Sequence, residues 1–128
     1  MSPDLKYLLF SVVLTFVQML IAAAAANQVV GLTTLAGNRD RLPEYTGFAG
    51  RAKRAHLNML ENLVLFVALV FLVVAAQKSN PMTVLGAELF FWGRLAYALI
   101  YLAGFPYVRT LSWVVSAAGM VLMALQLL

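Results

Sequence analysis

Four apolar stretches, divided by short clusters of polar and turn-forming residues, set the pattern of this chain. They run from Leu5 to about Val30, Arg51 to about Gln77, Met82 to about Gly104, and Tyr107 to Leu128. Each is close to the ~20 residues needed to cross a bilayer. A soluble bundle would show polar positions recurring at helical spacing, and the run VLFVALVFLVVAA has none. The pattern predicts an all-α integral membrane protein, a four-helix antiparallel bundle forming one domain over residues 1–128. Its helices should cover about 5–30, 51–77, 82–104 and 107–128.

Between the first two crossings lies the only long connection, loop 31–50, with Gly31, Gly37, Pro43, Gly47 and Gly50 as breakers. Gln77-Lys78-Ser79-Asn80-Pro81 makes the second turn and Gly104-Phe105-Pro106 the third. Ala22–Ala26 could mimic a signal-peptide cleavage region, but the weakly charged start, Asp4 beside Lys6, favours a retained first crossing. That crossing carries a thin polar stripe, Tyr7, Ser11, Thr15 and Gln18, expected to hydrogen-bond between helices, with the alanines allowing close approach.

Composition supports the membrane reading: 63% of the 128 residues are hydrophobic and 11% charged. The absence of cysteine excludes disulfides, thiol catalysis by the protein and thiolate metal sites. One histidine and scattered carboxylates give no metal constellation. The net charge of +4 does not form a stripe with interleaved aromatics, so no nucleic-acid partner is expected. Instead the cations gather at membrane edges. Arg39, Arg41, Arg51, Lys53 and Arg54 outnumber Lys6 and Lys78. The positive-inside rule then puts loop 31–50 and the 104–107 connection in the cytoplasm, with both termini on the other side.

The candidate chemistry sits where charge enters the apolar runs. Arg51, Arg54, Asn58 and Glu61 fall within an arc of roughly 80° on one helix. Arg94, Tyr97 and Tyr101 fall within roughly 60° on another, and Arg109 opens the fourth crossing at the same level. The tyrosines could serve as interfacial anchors. Guanidiniums inside a membrane segment need protein, water or a ligand around them. Several arginines with one acid suit a carboxylate ligand that also bears an ammonium group, and such a site would lower the pKa of a bound thiol. Glu88 lies away from this set and could pair, be protonated or face another subunit. His56 points off the stripe and is given a structural role.

Arg51-Ala52-Lys53-Arg54-Ala55-His56-Leu57-Asn58-Met59-Leu60-Glu61-Asn62 resembles the second-helix signature of the MAPEG family, membrane-associated proteins in eicosanoid and glutathione metabolism. The resemblance extends through Arg94, Tyr101 and Arg109 to nearly the whole chain. It implies a homotrimer with glutathione as co-substrate, bound between protomers near the cytosol, and a lipophilic electrophile or hydroperoxide from the bilayer as second substrate. On that likeness Arg54, Asn58, Glu61, Arg94 and Tyr101 hold glutathione, and Arg109 stabilises its thiolate. Leu57, Trp113 and Val29 stand where some members carry arginine, tyrosine and arginine. These departures suit the alternative, a lipid- or fatty-acid-binding scaffold of the same family. A small multidrug transporter would need an acid in its first crossing, and Tyr7–Val30 has none.

Overall fold

Capping chemistry decides where each apolar run becomes a helix. The computed structural model describes residues 1–128. Helix α1 (Pro3–Val30) starts two residues before the expected Leu5, because the Ser2 hydroxyl accepts the Leu5 N–H at 3.4 Å and Pro3 fits the first helical turn. Gly31 ends it at φ 85°. The connection expected as loop contains a one-turn helix, α2 (Leu32–Ala36). Helix α3 (Gly47–Ala75) begins earlier than the expected Arg51 and ends before the expected Gln77, where the backbone turns to φ 55°. Gly50, expected as a breaker, therefore lies inside α3. It is needed there for space, since a Cβ would stand 2.5 Å from the Tyr45 carbonyl oxygen.

Helix α4 (Pro81–Ala103) opens with a capping box: the Asn80 side chain accepts the Thr83 N–H at 3.0 Å while Thr83 Oγ1 accepts the Asn80 N–H at 3.0 Å. It closes on Gly104, left-handed at φ 89°, with the Phe105 N–H on the Ile100 carbonyl at 3.3 Å. That six-to-one bond, followed by Pro106, is a Schellman stop. Helix α5 (Val108–Leu127) runs back from it.

Helices α1, α3 and α4 pack on one another, α5 lies against α4 and α3, and α1 does not touch α5. The core between them is Met59, Phe66, Val70, Val73, Ala87, Phe90 and Met123, with Phe66 and Phe90 stacked at 3.9 Å between centroids. The α4–α5 approach is backbone on backbone. A Cβ on Gly86 would stand 2.6 Å from the Gly119 carbonyl, and one on Gly93 would stand 2.9 Å from the Ser116 nitrogen. Small residues permit such contact in membranes, where dispersion and hydrogen bonds replace the hydrophobic drive. Ala25 packs with Ala49 and Ala52, and Ala22 lies against them, as the alanine run predicts.

Ser11, Thr15 and Gln18 are buried, but the expected interhelical bonds are not what forms. The Ser11 hydroxyl donates to the Tyr7 carbonyl at 2.8 Å and Thr15 to the Ser11 carbonyl at 2.7 Å, both within α1. A short hydroxyl finds the carbonyl four residues back before it can reach a neighbouring helix. At the end of the bundle away from the 31–46 connection, the Ser79 hydroxyl donates to the buried Asp4 carboxyl. Lys78 there donates to the Leu127 carbonyl at 3.0 Å, a cation at a helix C-terminus. The outward surface is apolar, with Phe16, Val64, Phe71, Trp92, Leu99 and Leu111 exposed. Four helices have the length and apolarity of a membrane span. The protein is an integral membrane protein.

Candidate functional site

Arginines and tyrosines alternate across three helices near the Gly104 end of α4. Arg94 is 1% exposed, and its Cζ lies 4.3 Å from the Tyr97 ring centroid. Tyr97 meets Tyr101 edge to face at 5.6 Å. Arg109, at the start of α5, stacks its Cζ 4.5 Å from the opposite aromatic, Tyr101. Arg54 of α3 donates from Nε to the Tyr101 hydroxyl at 2.9 Å. The two phenol rings are thus interleaved with three guanidiniums, each a favourable cation–π or hydrogen-bond contact. Ala55 is the small α3 residue that lets both rings pack in.

Asn58 ties α3 to the far end of this ladder: its Oδ1 accepts from Arg94 Nη2 at 2.7 Å. Arg94 Nε and Nη1 are buried with no hydrogen-bond partner. Glu61, one turn on from Asn58, is exposed. So Arg54, Asn58, Arg94, Tyr97, Tyr101 and Arg109 come together across three helices, and Glu61 sits exposed at the edge of the set. Arg51 does not join them. Its Nε donates to the Leu102 carbonyl at 3.3 Å, filling an acceptor that the last turn of α4 leaves open. Nor is there one enclosed pocket beside the stripe. Arg54 opens instead on a cavity of about 170 Å³ shared with Glu44, Tyr45, Gly50, Lys53 and Leu57.

The MAPEG family's sequence model matches residues 6–128, essentially the whole chain. The chain belongs to the MAPEG family. No curated protein and no solved structure matches it.

Two residues of the site escape a reading by helical face alone. Asn62, buried, donates from Nδ2 to the Asn58 carbonyl at 2.8 Å and to Asn58 Oδ1 at 3.3 Å. It holds the amide that Arg94 uses, and its signal is the four-residue spacing from Asn58. Tyr45 is the other. It comes from the long connection, and its carbonyl lies close against Gly50 while Lys53 Nζ stands 5.4 Å from its ring centroid, so it sits over the start of α3. His56 is half-buried with Nδ1 unpartnered, and Glu88 lies beside Tyr7, away from the ladder. In chemical terms this MAPEG site offers fixed positive charge, two phenols and an acceptor carboxylate at its edge. It suits binding an anion and holding negative charge on a reacting atom.

Proposed function

We propose that this protein binds glutathione and stabilises its thiolate for reaction with a lipophilic electrophile or hydroperoxide supplied by the bilayer. One observation carries the reading. Arg94 is a buried guanidinium with a single hydrogen bond, to a neutral amide, and two unpartnered nitrogens. A buried charge without a counter-charge is costly. An acidic ligand against that flank removes the cost. In this reading a glutathione carboxylate approaches Arg94 and Arg54, Glu61 takes the ammonium, and the sulfur lies toward Arg109. The thiol proton leaves to solvent, and the thiolate sulfur forms a bond to the electrophilic carbon as the leaving group departs with the electrons of its own bond. With a hydroperoxide the sulfur attacks the outer oxygen, and the O–O bond breaks to release the alcohol. A second glutathione then displaces water from the resulting sulfenic acid to give the disulfide. Because Glu61 and Arg54 are exposed, a second protomer closing over them suits the homotrimer that the family resemblance implies. The excess of cations near the 31–46 connection supports a cytoplasmic position for it and for the site.

Titration calorimetry of the detergent-solubilised protein with glutathione tests the binding step. Saturable binding is expected, weakened about tenfold or more by Glu61→Gln, since a charge-assisted hydrogen bond is worth about 1.5–3 kcal/mol. No binding heat, or an affinity indifferent to Glu61, would remove the ligand assignment. A fatty-acid-binding scaffold is the second reading, favoured by one feature: Leu57 gives the 170 Å³ cavity an apolar wall. Saturable fatty-acid binding with no turnover of thiol and electrophile would select it.

A further inference from the structure

Tyr45 and Lys53 line a second cavity as well, of about 220 Å³, at the end of α1 and outside the arginine–tyrosine ladder. Its floor is Ala22, Ala23 and Ala26, and Arg39 closes it from the loop side. No carboxylate lines it. Arg39 has a backbone φ of 61°, a conformation in which a bulky residue is uncommon, and its Nε donates to the Leu35 carbonyl at 2.6 Å. That bond fixes the guanidinium and leaves its two terminal amino groups to meet a ligand. Lys53 is held with Nζ 5.4 Å from the Tyr45 ring centroid. Below the cavity, Phe16, Leu20 and Ala23 form one exposed apolar line along α1, at spacings of four and three. Two held cations over three alanines, with a hydrocarbon-facing track leading away, match a molecule with an oxyanion head and an acyl tail.

We propose that this cavity binds the phosphate headgroup of an anionic membrane phospholipid, between Arg39 and Lys53, with an acyl chain laid along Phe16 and Leu20. The site is separate from the thiol site in ligand and in its deciding residue, because Arg39 lines only this cavity. Basic side chains near a membrane attract anionic lipid generally. A held site differs from that diffuse attraction in depending on one arginine and not on its neighbour two residues away.

The full-length protein in nanodiscs of equal phosphatidylcholine and phosphatidylglycerol provides the test, with retained lipid identified by native mass spectrometry. Phosphatidylglycerol should be retained in preference. Arg39→Asn should reduce that preference about tenfold or more, the factor expected for losing a charge-assisted hydrogen bond to the headgroup. Asparagine tolerates the left-handed backbone, so folding is preserved. Arg41→Asn, which removes the same charge from an exposed residue lining neither cavity, should leave the preference intact. Equal loss in both variants, or no preference in the parent protein, overturns the site. Inorganic phosphate is the remaining arm. If it displaces phosphatidylglycerol at millimolar concentration, the cavity takes a free oxyanion and the lipid assignment fails.

Discussion

Arg109→Ala abolishes the ultraviolet absorbance of glutathione thiolate in the bound complex and lowers turnover by about 10²-fold or more. The magnitude is that of removing one fixed donor from a site where negative charge develops. Arg109 suits the experiment because its contact is a stack on Tyr101 at 4.5 Å, with no hydrogen bond that the fold depends on. The variant should therefore keep its thermal unfolding midpoint and its glutathione affinity to within a few fold. Arg109→Lys separates charge from shape: the ammonium keeps the charge but cannot stack as a plane. Partial recovery of the thiolate signal is expected for it. A full thiolate signal in Arg109→Ala would transfer the role to Arg94, whose two free nitrogens are the other source of positive charge.

Gly119→Val breaks the bundle. On α5 at this position a Cβ meets the Gly86 carbonyl, stands 3.0 Å from the Phe90 nitrogen and 3.1 Å from Leu89 Cβ. Two of these three are backbone, which cannot rotate aside. The helices must separate, and Met123 and Phe90 lose their packing in the core. A loss of about 3 kcal/mol is expected, the upper range for overpacking a tight interior. Denaturation in mixed micelles of increasing dodecyl sulfate would measure it. Gly37→Ala is the paired control, since the nearest atoms to a Cβ there lie at 3.4 and 3.6 Å. If Gly119→Val and Gly37→Ala unfold alike, the close seam does not hold α5.

The number of crossings is legible in the sequence because bilayer thickness forces about 20 consecutive apolar residues each time. Their ends are less so, because they hang on single groups: the Ser2 hydroxyl, the Asn80–Thr83 box, the left-handed Gln77. The face shared by Arg94, Tyr97 and Tyr101 could be read from spacing, since it belongs to one helix. What Tyr101 meets could not. Its partners Arg54 and Arg109 come from other helices, and which turn faces which is set by interhelix register. Arg51 shows the same limit, for it shares an arc with Arg54 yet caps α4. The α4–α5 seam was hidden because Gly86, Gly93 and Gly119 look unremarkable until two helices are laid together.

That seam, joined to the Schellman stop at Gly104, bears on the order in which the chain folds. α4 and α5 are neighbours in sequence, so little loop entropy opposes their pairing. α1, in contrast, has its partners in α3 and α4, across the whole 31–46 connection. The α4–α5 hairpin thus assembles early and α1 docks late. Because the chain has no cysteine of its own, introduced pairs report the sequence of events cleanly. A bridge between α4 and α5 should form before one between α1 and α3 as the nascent chain enters the bilayer, and the reverse order would mean that α1 seeds the bundle.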